Sequence, residues 1–158
     1  MDDYALIKTI HILSSAILFG TGLGTAFHGL MANRSRVLTA TVVVNRNVVL
    51  ADWLFTTPAV LVQPATGVWL ALQAGFPLTS GWLLLALLLY GVVGACWLPV
   101  VWLQIQMRRI AEAALRDGTA LPARYHRYAG WWFALGWPAF ASVLVIFYLM
   151  VAKPEIGF

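Results

Sequence analysis

Charged side chains are scarce in this chain of 158 residues: Asp, Glu, Lys and Arg make up 10% of it, against 61% hydrophobic residues. That balance excludes an ordinary soluble globular domain, in which about 25% of residues are charged, and makes lipid the solvent for most of the chain. Cysteine is limited to Cys96, so neither an intramolecular disulfide nor a thiolate cluster can form. A basic n-region is also missing. Asp2 and Asp3 stand in its place and no small-residue cleavage motif follows, so the first apolar segment is expected to stay in the mature protein. No long repeat, low-complexity tract or stretch long enough for a soluble domain is present, and residues 1–158 read as one unit.

What is abundant is apolar sequence in long runs. A hydrocarbon core about 30 Å thick takes roughly 20 residues of helix, and four segments reach that length: Leu6 to Leu30, Val48 to Leu72, Trp82 to Met107 and Trp131 to Ala152. Lipid offers the backbone no hydrogen-bond partner, and the alternation of barrel strands is absent. The pattern therefore predicts an all-α integral membrane four-helix bundle. The lipid bilayer is its first partner and nucleic acid is not one, because the net charge of +4 is distributed topologically. Of the 10 Lys and Arg residues, all but Lys8 and Lys153 flank two connections. Arg34, Arg36 and Arg46 lie between the first and second spans, and Arg108, Arg109, Arg116, Arg124 and Arg127 between the third and fourth. The connection Gln73 to Gly81 carries no charge. The arginine-bearing connections are thus expected in the cytoplasm of a bacterium and both termini on the non-cytoplasmic side of its inner membrane. Trp69 and Trp82 on one side, with Trp53, Trp131 and Trp132 on the other, fit the two interfacial belts.

The third helix is expected to run past the bilayer, since Arg108, Glu112 and Arg116 offer i,i+4 ion pairs before Gly118, a suitable C-terminal cap residue. Pro122 can then open the next helix. Pro58, Pro64, Pro99 and Pro138 each remove a backbone hydrogen bond within the membrane and free a carbonyl one turn earlier, which predicts kinks in three helices.

The first span carries the most informative polar residue. At about 100° per residue, His11, Ser15, Leu18, Gly22, Thr25 and Gly29 share one stripe, a histidine above a small-residue groove. Gly20 and Gly24 form a GxxxG pair on roughly the opposite face, suited to close helix approach. The stripe has two readings: tight packing with His11 hydrogen-bonded near the interface, or an imidazole that ligates a metal, haem iron first, with the glycines leaving room for the macrocycle. If haem is bound, His11 is the axial ligand, because His28 and His126 border water and His28 lies roughly 25 Å further along the axis. Met150 is then the candidate sixth ligand. Asp52, His28 and His126 all map to the arginine side without a metal-ligand spacing. Asp52 is expected at the start of its helix, where the macrodipole favours an anion, and the three are not expected to form a metal site. Near the bilayer midplane only Gln63 and other uncharged polar groups are expected.

The stretch Lys8-Thr9-Ile10-His11-Ile12-Leu13, with Gly20 and Gly22 beyond it, resembles the first helix of the four-helix bacterial HemJ-like protoporphyrinogen oxidases and of the CopD-like copper-resistance membrane proteins. Trp53-Leu54-Phe55 to Pro58-Ala59, with Gly67 and Leu70, resembles their second helix, and Val151-Ala152-Lys153-Pro154 their Lys-Pro terminus. Closer still is the likeness to a group of uncharacterised bacterial four-helix integral membrane proteins with a domain of unknown function. The oxidase resemblance implies haem b inside the bundle, oxidation of a tetrapyrrole and a partner in the respiratory chain. His11 falls on the ligand position. The oxidases also place a lysine and a histidine in the third helix and an Asn-Glu pair near the last helix proline. Here those places hold the apolar run Trp82 to Leu87, then Cys96-Trp97, and Gly136 and Trp137 beside Pro138.

Two functional classes follow. One is a haem-b redox or electron-transfer protein with His11, Ser15, Gly22 and Met150 around the cofactor. The other is a non-enzymatic membrane module without cofactor: an assembly partner, a transporter subunit or a structural protein, whose small-residue faces would also suit a second copy in a homo-oligomer. The charge asymmetry makes the first testable statement: a cysteine placed at Thr79 is expected to be labelled by a membrane-impermeant reagent from the periplasm and one at Gly118 only after the membrane is opened, and periplasmic labelling at Gly118 reverses the orientation.

Overall fold

The computed structural model describes residues 3–156. Helix α1 spans Asp3–Ser35, α2 Leu38–Ala51, α3 Thr57–Gln73, α4 Gly81–Arg116 and α5 Ala123–Ala152, and a π-helical turn, Asp52–Thr56, fuses α2 to α3. Residues 38–73 thereby form one rod, and the chain has four helices long and apolar enough to cross a membrane. Among the described residues there is no strand. The 36 residues of α4 rise about 54 Å, well beyond a hydrocarbon core.

Every span is longer than its hydropathy suggests, because apolarity marks the part in lipid and not the part that is helical. The largest difference is at α2, which begins at Leu38, ten positions before the apolar run that defined the second span. Residues 38–47 hold several β-branched residues, poor helix formers by themselves. Their helix is explained by burial: Thr41, Val42, Asn45, Val48 and Val49 recur at helical spacing and are all buried. The first connection shrinks to Arg36 and Val37, with Arg36 in the left-handed region at φ 56°. The end of α4 follows expectation. Gly118 takes φ +62°, and the Thr119 N–H donates to the Ala114 carbonyl, as a Schellman cap requires. Pro122 precedes the first residue of α5.

Packing is concentrated at the two ends of the bundle. At the arginine-bearing end, Val42, Val48, Leu103, Met107, Ala111, Tyr125 and Trp132 form one cluster. The fully buried Tyr125 hydroxyl donates to Asn33 Oδ1 (2.8 Å) and accepts from Asn45 Nδ2 (3.1 Å), which ties α5 to α1 and α2. At the opposite end, Ala71, Trp82, Leu83, Ala86 and Leu149 form a second cluster. Lys153, just past α5, holds its ammonium 4.8 Å from the centre of the Phe76 ring. The backbone of Ile156 lies against Gly81, where a Cβ would have no space. Between these ends α1 and α5 barely touch, meeting through Phe19 stacked on Phe140 at 5.0 Å.

Two prolines show their structural cost and its remedy. Pro64 has no N–H to give the Val60 carbonyl, and the Tyr90 hydroxyl of α4 donates to that carbonyl instead, at 2.6 Å. Pro58 would drive its ring against the Leu54 carbonyl in an unbroken α-helix. The π turn widens the rod there, with the Thr57 N–H reaching back to the Asp52 carbonyl. Gly20 and Gly24 would meet nothing within 4 Å if given a Cβ, so the close approach expected of that pair is not made within the chain.

The Tyr90 bond gives a paired prediction. Tyr90→Phe leaves the Val60 carbonyl unpartnered in a dry interface and is expected to lower stability by about 1–2 kcal/mol. In a Pro64→Ala background the helix supplies its own donor and the same change is expected to cost less than half as much. Denaturant titration of the four variants in mixed micelles measures the difference, and equal costs in both backgrounds would refute it.

Candidate functional site

Sequence reasoning placed His11, Ser15, Gly22 and Met150 around one centre, and the structure gives each of the four a different surrounding. His11 is half-buried against α3. Its Nδ1 lies 2.8 Å from Thr66 Oγ1 and its Nε2 3.2 Å from Gln63 Nε2. The Thr66 hydroxyl proton goes to the Val62 carbonyl (2.8 Å), so its oxygen accepts from His11 Nδ1–H, and His11 Nε2 accepts from the Gln63 amide. Gln63 Oε1 in turn accepts from the Ser14 hydroxyl. Ser15 is not part of this chain; its hydroxyl donates to the Ile12 carbonyl at 2.8 Å. Met150 packs with the Trp82 cluster at the end of α5, and Gly22 faces a cleft further down α1. The reason for the dispersal is that the neighbour changes along α1: α3 flanks His11, the cleft flanks Leu18 to Ala26, and Trp132 of α5 closes on Gly29, 3.1 Å from where a Cβ would stand.

That packing bears on haem. The groove beside His11 is filled, since a Cβ at Gly67 would stand 3.0 Å from His11 Cε1. The glycine that faces the imidazole belongs to α3 and is closed by the ring itself, so a macrocycle fits there only if α1 and α3 part and Gln63 leaves Nε2.

The larger feature is a cleft of about 390 Å³ between α1 and α5, floored by α4 and the π turn. Leu18, Gly22 and Ala26 form one wall and Gly136, Phe140 and Val143 the other. Its rim includes the exposed Leu23, Phe27 and Trp137, within helices apolar enough to span a membrane, so its mouth opens at the side of the bundle. At its floor lies Asp52. This corrects the sequence reading. Asp52 does not begin a helix but follows the 14 residues of α2, about 21 Å in, so the macrodipole does not account for it. It stands four residues inside the apolar run Val48 to Leu72, within the continuous rod 38–73. The π turn places Asp52 and Thr56 inward, both buried, and leaves Trp53, Leu54 and Phe55 outward. Trp97, near the middle of α4, donates its indole N–H to Asp52 Oδ1 at 3.3 Å.

His28 and His126 are exposed, with their rings against the neighbouring Phe27 and Tyr125, while Asp52 is buried. Among the described residues no group of three or more His, Cys, Asp or Glu is placed to hold a metal ion. Gln104 and Trp132 line both the cleft and a cavity of about 10 Å³ beside Asn33 and Asn45, room for one water. The Trp132 indole N–H, buried without a protein partner, borders it.

Sequence reasoning missed Gln63, Thr66 and Gly67 as the partners of His11, and Trp97 as the partner of Asp52. A signal was present for the first set: Ser14 three residues after His11, and Thr66 three after Gln63, are polar pairs at helical spacing in apolar helices. For Asp52 the signal was Pro58 six residues on.

These features define a polytopic α-helical membrane protein with a polar interhelical network and a laterally open cleft. Residues 5–154 match the family described as predicted integral membrane protein (DUF2269), and the chain belongs to that family. No curated protein and no solved structure matches it.

The His11 contact separates two glycines of one bundle. Gly67→Ala is expected to destabilise by about 1–3 kcal/mol, because the methyl crowds the imidazole and strains its two hydrogen bonds, whereas Gly20→Ala, on an open helix face, is expected to be neutral or stabilising. Thermal unfolding of the two variants in the same detergent decides, and equal behaviour would mean that His11 is not held as described.

Proposed function

We propose that this protein is a binding module of a bacterial inner membrane that takes a lipophilic small molecule from the lipid phase into the cleft between α1 and α5. One observation carries the reading: the bundle is packed tightly at both ends and open in the middle, where a ligand-sized volume is lined by apolar and aromatic side chains around a single carboxylate. Binding sites are typically concave, mostly apolar and provided with few polar groups, and a volume of about 300–1,000 Å³ is usual for them. Lateral access suits a ligand that partitions into the bilayer before it binds. Asp52 shares a hydrogen bond with Thr56 at the floor, and no His or Lys lines the cleft to act with them; the module is therefore proposed to bind and present its ligand, as a transporter subunit or an assembly partner does, rather than to transform it.

A haem-b redox protein with His11 as axial ligand is the second reading, and the His11 tautomer favours it. With Nδ1–H held by Thr66, Nε2 keeps its lone pair, the arrangement usual in metal-ligating imidazoles. The bound group would supply one-electron chemistry, and the chain would contribute the ligand and the hydrogen bond that orients it. This reading requires the α1–α3 contact to open around His11.

One preparation tests both. Benzophenone, a neutral apolar photoprobe, is expected to label residues of the cleft in lipid nanodiscs, and Gly22→Leu, whose side chain grows into the cleft where nothing lies within 4 Å of a Cβ, is expected to cut that labelling at least tenfold while the thermal unfolding profile is kept. Labels spread evenly over the lipid-facing surface would end the cleft reading. A Soret band lost in His11→Ala would favour haem, and a colourless native protein would remove it.

A further inference from the structure

The cleft combines one buried carboxylate with an unusual density of aromatic rings, and its charges are of one sign. Asp52 is the single ionisable acid among its lining residues, and no Lys, Arg or His is among them. Nor is Asp52 neutralised from elsewhere: among the described residues the ion pair found is Arg46–Glu112, at the arginine-bearing end. An ionised carboxylate in an apolar surrounding is expensive unless a positive charge compensates it, and acids inside membrane spans mark ligand or ion pathways for that reason. The fold nevertheless builds Asp52 in, through a π turn that costs the rod its regular hydrogen bonding. The opposite faces are aromatic: Phe19, Trp97, Trp132, Phe133, Trp137 and Phe140 line the same volume. Ring faces carry negative potential and attract a cation within about 6 Å, most strongly when water is excluded.

We propose that the ligand of the cleft is a lipophilic organic cation, an apolar body bearing one quaternary or protonated nitrogen or an equivalent onium centre, with Asp52 as its counter-ion and the aromatic side chains as its walls. This inference rests on the cleft being a binding site and adds the charge of what it binds. Other occupants fit less well. An anion, whether a fatty acid or the propionates of a macrocycle, would meet the carboxylate with no cation to offset it. A bare metal ion would find one carboxylate, two threonine hydroxyls (Thr25 and Thr56) and Gln104 among hydrocarbon walls, too few oxygens for a hard cation. A neutral molecule or a lipid chain would be matched only by the protonated, neutral carboxyl and would make no use of its charge. Asp52 holds the cation, Trp97 orients Asp52 through its indole N–H, and the open rim at Leu23 and Trp137 admits the body from the bilayer.

Tetraphenylphosphonium and tetraphenylborate, alike in shape and opposite in charge, test this with the 158-residue chain in zwitterionic lipid nanodiscs. Each competes against benzophenone labelling of the cleft, at concentrations corrected for its measured partition into protein-free nanodiscs of the same lipid. The phosphonium is expected to displace the label from native protein at a concentration at least tenfold lower than the borate. Asp52→Asn is expected to abolish that advantage, and Asp52→Glu to keep most of it. Equal competition by the two ions on native protein overturns the charge assignment, a result that does not depend on any variant folding, and it leaves the cleft reading standing because the label is still displaced. Asp52→Asn protein that unfolds like the native chain and keeps the tenfold preference overturns it as well. If benzophenone never labels the cleft, the cleft reading itself fails, and the two failures are thereby told apart.

Discussion

Hydrocarbon offers a polar group no hydrogen-bond partner, and the arrangement of this bundle follows from that constraint more than from any other. A polar atom brought between the helices is met within its own helix, as the Ser15 hydroxyl is by the Ile12 carbonyl, or by another helix. The Val60 carbonyl, orphaned by Pro64, is met by Tyr90; the Tyr125 hydroxyl both donates and accepts; the His11 ring uses both nitrogens, and the Gln63 amide answers Ser14 and His11 together. Such bonds are worth only about 0.6–2 kcal/mol each in membranes. Their effect is on register. Apolar helix faces slide and rotate against one another at little cost, and these few pairs choose one alignment among many.

The same constraint shapes the functional reading. With polar ties and close-packed clusters at the two ends, α1 and α5 are held apart in between, and the space they leave is apolar apart from Asp52, Thr56 and a few other small polar groups. A fully closed bundle could have been built from the same length of chain. Instead Gly22 and Gly136 keep the two walls bare, and Trp97 holds the acid at the floor. The π turn deserves its cost only if the position of Asp52 matters, since a single α-helix without Pro58 would have been the simpler rod. Wide turns of this kind recur at functional sites because they re-aim side chains that a regular helix would point elsewhere.

His11 and Asp52 thus belong to different parts of the bundle. His11 sits where α1 and α3 press together, with its imidazole closed in by Gly67. Asp52 sits where the helices separate. The histidine above a small-residue groove draws attention to the first in the sequence, and the geometry draws it to the second.

Much of the fold was legible in the sequence because hydropathy is a local, additive property. A window of about twenty apolar residues is a span whatever surrounds it, so the number of spans, the overrun of α4 to Gly118 and the start of α5 after Pro122 could be read directly. Freed carbonyls at the prolines were legible too, since the missing N–H is a property of the residue itself. What could not be read was which group answers them. Tyr90 is 30 residues from Val60, and Tyr125 is 80 and 92 residues from Asn45 and Asn33. The early start of α2 depended on a buried stripe whose partners lie on other helices, and its correction moved Asp52 from a helix end to the interior of the rod 38–73. Only the tertiary structure decided that the stripe on α1 faces three different neighbours and that a cleft opens along part of it, because a helix sequence specifies which side chains share a face and leaves open what that face will meet.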